Sequence, residues 1–218
     1  MAAVQGSLLD LDLDLDLDLD LEHDVTVRPL ADRVERTELG RGAWVDVGRG
    51  FLAGTAELFE RLVAAVPWRA ERRVMYDRVV DVPRLVAFYG PGEALPDPAV
   101  GAAMAALVAH YGVASGGPVA TAGLCYYRDG HDSVAWHGDR IGRGAREDTL
   151  VAIVSLGATR RLLLRPEGGG PARRYELASG DLVVMGGSCQ RTFEHAVPKT
   201  ARPVGGRVSV QLRPVGVR

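Results

Sequence analysis

Cysteine, lysine and long apolar runs are what this sequence has least of. Its two cysteines, Cys125 and Cys189, stand 64 positions apart with no CxxC pair, which argues against a disulfide framework or a zinc knuckle. Neither sits in a pattern that suggests catalysis. No apolar stretch reaches the roughly 20 residues needed to cross a bilayer, and no basic segment followed by an apolar one opens the chain. The expectation is a cytoplasmic protein with no membrane partner. Lysine is almost missing: Lys199 stands alone among 26 basic residues. A positive surface made of guanidinium suits phosphate contacts and stacking on bases, although a solvated face set by composition would read the same way.

What is present fits one globular domain. At 218 residues, 47% hydrophobic and 25% charged, the chain can bury a substantial core. Its charge is uneven. Residues 1–24 hold eight acids and no Lys or Arg, so residues 25–218 carry 26 bases against 20 acids, a net +6. Leu9 to Leu21 alternates strictly with aspartate. On a strand that pattern would align like charges along one face, and its low complexity points instead to a disordered acidic tail. The fold is expected within residues 25–218.

Residues 25–47 read as short extended pieces broken by Pro29 and Gly40-Arg41-Gly42. Leu58, Phe59, Leu62, Val63 and Val66 then recur at helical spacing. The preceding Gly48-Arg-Gly50-Phe-Leu-Ala53 nominally matches a dinucleotide fingerprint. A doubly wound sheet would need repeating strand and helix units that the rest lacks, so these glycines are read as a turn. From Arg69 to Tyr89, arginines alternate with Met75-Tyr76 and Phe88-Tyr89. That composition suits either ordinary strand packing or a surface that holds phosphates and stacks a base, with Met75, Tyr76, Arg84 and Tyr89 as candidate substrate-binding residues. A second helix follows over 98–112. Beyond Thr121 the pattern is strands, at 121–128, 149–156, 160–165, 173–177, 181–185, 191–195 and 207–213. Helices first and strands afterwards predict an α+β domain, a double-sheet barrel with N-terminal helices packed on it and a core over about 121–214.

The chemistry concentrates in this second half. His137-Gly-Asp139 and the distant His195 supply two imidazoles and a carboxylate, the ligand set of a facial iron(II) triad that leaves positions open. His131 competes, but it lies in the polar turn Asp129-Gly-His-Asp132, where solvent suits it. Arg207 and Arg213 fall on one face of a closing strand, with Ser209 and Gln211 between them. Paired guanidiniums there suit a dicarboxylate bound beside the metal.

Six runs carry a resemblance in order and spacing: Tyr127 to Asp132, His137 to Asp139, Val154 to Gly157, Gly180 to Met185, His195 to Lys199 and Arg207 to Arg213. Together they resemble the AlkB family of iron and 2-oxoglutarate dioxygenases, over roughly residues 67–214. The resemblance implies a double-stranded β-helix, or jelly roll, with iron(II) held by His137, Asp139 and His195. It implies 2-oxoglutarate held by Tyr127, Arg207 and Arg213 with Ser209 adjacent, and O2 as the oxidant. The implied activity is alkylation damage repair by a monomer, demethylating bases of single-stranded or locally opened DNA, or RNA, with release of formaldehyde, succinate and carbon dioxide.

The chain also departs from the family. Cys125 and Ser209 stand where asparagine is usual, and Gln211 where threonine is. Arg140 and Ile141 replace an acidic pair that can read a base edge, and an aromatic pair expected after Tyr89-Gly90 is missing. Two other readings are therefore carried: a related dioxygenase acting on a protein, lipid or small molecule, and a non-catalytic barrel module. The net +6 of residues 25–218 weighs against the first, and the open ligand set against the second.

Overall fold

Every strand pairing in this computed structural model is antiparallel, and the structure describes residues 25–75, 78–112 and 116–217. The Leu-Asp segment lies outside the described residues. The chain begins with β1 (Thr26–Val27), β2 (Val34–Gly40), β3 (Ala43–Gly48) and β4 (Leu52–Ala53), then helix α1 (Thr55–Ala65). A hairpin of β5 (Arg69–Met75) and β6 (Arg78–Tyr89) leads to α2 (Pro98–Tyr111). Then come β7 (Val119–Tyr127), β8 (Val134–His137), β9 (Thr149–Gly157), β10 (Arg160–Pro166), β11 (Arg173–Leu177) and β12 (Leu182–Gly187). A single helical turn, α3 (Cys189–Thr192), precedes β13 (Phe193–Val197) and β14 (Arg207–Pro214).

These strands form two main sheets. The larger runs β2-β3-β12-β9-β14-β7-β6-β5, and the smaller β11-β10-β13-β8. The result is a mostly antiparallel sandwich with few helices. In the central strands β9 and β12 nearly every residue is buried because both faces are covered. Leu150, Ala152, Val154 and Leu156 join Leu58 and Leu62 of α1 and Leu107 of α2 in one core. Val151 and Ile153, on the opposite face of β9, join Leu162, Leu164 and Val197 of the smaller sheet in the other.

Local sequence explains the helices. Asp97 caps α2, its carboxylate accepting from Ala99 N at 2.9 Å, with Pro98 at the first turn. Gly40-Arg41-Gly42, all at positive φ, turns β2 into β3. Among the described residues no helix is long and apolar enough to cross a membrane.

Candidate metal centre

His137 ends β8 and His195 lies in β13, directly opposite it in the register of the smaller sheet. Their rings stand 4.2 Å apart, centroid to centroid. Asp139 follows two residues later, and one ligand atom from each of the three lies within 4.8 Å of the others. The backbone between the first two ligands is tightly held. A Cβ at Gly138 would come within 2.6 Å of Gln190 O, so the middle position of this HxD takes only glycine without rearrangement. The buried Gln190 side chain donates to Met185 O at 3.2 Å and accepts from Asp139 N at 3.4 Å. Arg160, also buried, donates to Asp129 O, Asp132 O and Pro198 O at 2.8 to 2.9 Å. It thereby ties the loop before β8 to the end of β13 and supports the alignment of the two imidazoles.

Electrostatics favour a bound cation. His137 Nδ1 lies 2.9 Å from Ala135 O, which can only accept, so Nδ1 donates there and Nε2 is the ring atom left to face a metal. Burial, reinforced by His137, pulls His195 down to about 3, so it is a neutral donor at physiological pH. Burial alone would raise the Asp139 carboxyl, but Arg213, His195 and His137 hold it down to about 2. Two imidazoles and one ionised carboxylate fit iron(II), and three protein donors leave positions for other ligands.

Beside this cluster lies the polar face of β14. Val208, Val210 and Leu212 point into the helix-side core, which turns Arg207, Ser209, Gln211 and Arg213 toward the smaller sheet. Arg207 is 1% exposed. Its Nε donates to Ser155 Oγ at 2.8 Å, while its buried Nη1 has no hydrogen-bond partner among the described residues. Its guanidinium carbon lies 5.2 Å from the centre of the Tyr127 ring, and burial pushes that phenol up to about 12. An unpaired buried guanidinium N–H needs an acceptor, and a carboxylate such as one end of 2-oxoglutarate fits that need. Gln211 donates to Cys125 Sγ at 3.2 Å and to Ser209 Oγ at 3.3 Å, while its Oε1 accepts from Arg213 at 2.9 Å.

Of the candidate substrate residues, Tyr89 and Arg84 lie on opposite faces of β6. Tyr89 packs, half-buried, against the helix-side core, on the face of the larger sheet away from the triad. Met75 closes β5, and Tyr76 lies outside the described residues. Arg84 lies within electrostatic reach of Cys125 and Tyr127. Arg140, next to Asp139, is drawn into ion pairs with Glu167 and Glu194, while Ile141 is 71% exposed. His131 has a 91% exposed side chain and lies outside the cluster. Nothing in the local sequence marks Ser155, Gln190 or Arg160 as site residues beyond a polar group inside an apolar run, as in Leu150-Val-Ala-Ile-Val-Ser155.

The family model for the 2OG-Fe(II) oxygenase superfamily matches residues 89–213. The chain is 29% identical over 174 residues to alpha-ketoglutarate-dependent dioxygenase alkB homolog 3 of Rattus norvegicus, covering 72% of this chain and 59% of the relative. To the Homo sapiens protein of that name it is 29% identical over 177 residues, covering 72% and 60%. It thus spans about 60% of the length of these relatives. Among solved structures, that of OsALKBH1 superposes with a TM-score of 0.56 at 14% identity, covering 83% of this chain and all of that one. A 2OG-Fe(II) oxygenase family oxidoreductase from Burkholderia pseudomallei gives 0.54 at 12% identity, covering 79% and 86%. These two likenesses concern the fold alone.

Proposed function

The chain belongs to the 2OG-Fe(II) oxygenase superfamily, whose chemistry uses iron(II), 2-oxoglutarate and O2, and from that premise we propose that it oxidatively demethylates N-alkylated bases in DNA or RNA. The observation that carries the reading is the convergence of His137, Asp139 and His195 beside a buried guanidinium with an unpaired N–H. The similarity to alkB homolog 3 agrees with the resemblance to the AlkB family, and that resemblance is what implies the substrate class. In this reading residues 25–218 form the catalytic domain, with the two sheets as halves of a jelly roll. The bound metal, oxygen and 2-oxo acid together supply oxidative decarboxylation to succinate and carbon dioxide, coupled to hydroxylation of the N-methyl carbon and its loss as formaldehyde.

The side chains have separable tasks. His137, Asp139 and His195 hold the metal, with Arg213 fixing the Asp139 carboxylate. Arg207, oriented by Ser155, and the Tyr127 phenol receive the distal carboxylate of 2-oxoglutarate, with Ser209 lining the same face. Burial of these groups excludes water from the co-substrate and strengthens each charge-assisted bond. Single-stranded or locally opened nucleic acid is the proposed partner, supported by the net +6 of residues 25–218.

The residues after Asp139 favour a second reading, in which the same machinery hydroxylates another class of molecule. Arg140 is engaged by two glutamates and Ile141 faces solvent, so neither supplies the acidic base-reading pair of the resembled family. Succinate formation by iron-loaded protein, measured with and without a methylated oligonucleotide, decides between them. Stimulation by the oligonucleotide with stoichiometric formaldehyde supports demethylation. Succinate formed at an unchanged rate would leave only the second reading.

A further inference from the structure

Arg84 carries a buried defect of the same kind as Arg207. Its Nε is buried without a hydrogen-bond partner among the described residues, and its Nη1 makes one long contact, 3.4 Å, to Ser133 O. Register explains where it points. In the larger sheet β7 lies between β14 and β6. Arg207 pairs directly with Tyr127 on one side. On the other side Leu85 pairs with Tyr126 and Val86 with Cys125, so Arg84 occupies the next position, across from Tyr127. Arg207, Tyr127 and Arg84 therefore form one row across three strands. Val86 packs in the same inter-sheet cluster as Cys125 and Tyr127, and Arg84, two residues from Val86, shares that face.

The Cys125 thiol bonds to the Arg84 side chain but leaves the buried Nε–H without a partner, and the neighbouring charges do not supply one. Arg160, a third guanidinium near Tyr127, is used by three backbone carbonyls. Asp132 is engaged by Arg128. Glu71 is within electrostatic reach of Arg84 but does not hydrogen bond to its Nε. Two guanidiniums with unpaired buried N–H groups thus flank one phenol. Adjacent strands lie about 4.8 Å apart, so long side chains from the outer two can meet over the middle one. A carboxylate lying over Tyr127 would offer lone pairs to both.

Building on the co-substrate reading above, we propose that Arg84 is a second anchor for the distal carboxylate of 2-oxoglutarate, sharing it with Arg207. This moves Arg84 from the nucleic-acid surface, where composition suggested it, into the co-substrate pocket.

The test uses the full chain loaded with Zn(II), which occupies the site without redox turnover. Its probes are 2-oxoglutarate and 2-oxobutanoate, a 2-oxo acid that lacks the distal carboxylate. The Nε–H resonance of Arg84, assigned by its disappearance in Arg84→Lys, moves downfield with 2-oxoglutarate and stays in place with 2-oxobutanoate. By calorimetry Arg84→Met weakens 2-oxoglutarate about ten- to a hundredfold and leaves 2-oxobutanoate affinity unchanged. A resonance unmoved while 2-oxoglutarate binds would overturn the inference. Equal losses for both acids would also overturn it, marking Arg84 as structural. If wild type held Zn(II) but bound neither acid, the co-substrate reading itself would fall, and this inference with it.

Discussion

Arg213 donates from both Nε and Nη2 to a single oxygen of Asp139, Oδ2, at 3.1 and 3.0 Å. Both side chains are nearly buried, at 11% and 8% exposure, so the pair is shielded from solvent. Removing one partner leaves the other as an uncompensated charge. Arg213→Met should destabilise the metal-free protein by roughly 3 kcal/mol. Because a divalent cation can replace the lost positive charge, Mn(II) should restore more stability to this variant than it adds to wild type. Urea unfolding with and without Mn(II) measures both quantities. Equal Mn(II) effects in the two proteins would remove Asp139 from the ligand set.

His195→Ala tests the triad from the other strand. The residue is 5% exposed and faces His137 across the register, so its loss removes one of the three donors without disturbing the exposed surface. Iron(II) binding should fall below detection and turnover with it. A variant that binds iron and turns over as wild type does would refute the assignment.

Arg207 and Ser155 should behave differently although they touch. Arg207→Ala deletes the cation proposed to receive the distal carboxylate, a loss on the order of 2–5 kcal/mol in co-substrate binding. Ser155→Ala removes only the hydroxyl that accepts from Arg207 Nε, worth about 1 kcal/mol. The 2-oxoglutarate concentration for half-maximal succinate formation should therefore rise steeply in the first and several-fold in the second. An unchanged requirement in Arg207→Ala would mean that another group holds the dicarboxylate.

How much of this was legible depended on whether a residue's neighbours were close in the chain. The alternation of β14 places Arg207, Ser209, Gln211 and Arg213 on one face without any knowledge of the fold. The strand β8 went unread because Val134-Ala-Trp-His137 is four residues long and pairs only with β13, far along the chain. The face of Tyr89 is illegible for a related reason. Its stretch, Leu85-Val-Ala-Phe-Tyr89, is apolar throughout, so alternation cannot say which face is which. Pairing of Val86 with Cys125 decides it, and that contact exists only in the folded sheet. Gln190 and Arg160 act through backbone atoms 51 and 31 residues away, a relationship that sequence spacing does not encode.

The acid side of the stability curve tests the triad without any substrate. His195 is buried, and burial, with His137 and Arg213 adding to it and Asp139 opposing, keeps the folded imidazole unprotonated until about pH 3. The unfolded imidazole takes its proton near its ordinary value of about 6.5. Between those two values the unfolded chain holds one more proton than the folded one, so stability rises with pH across the window and is lost as pH falls. One proton corresponds to a slope of about 1.4 kcal/mol per pH unit. The Asp139 carboxyl, held down to about 2, adds a second proton of difference below its ordinary value of about 3.9 and steepens the loss there. Metal-free protein should therefore lose stability steadily from pH 6.5 downward, as read by urea midpoints with chelator present. His195→Asn should flatten the part between pH 6.5 and 4 and leave below it only the one-proton slope of Asp139. A wild-type curve already flat over that upper range would mean that His195 is not held neutral in the fold, and the reading of it as a ready metal donor would fail.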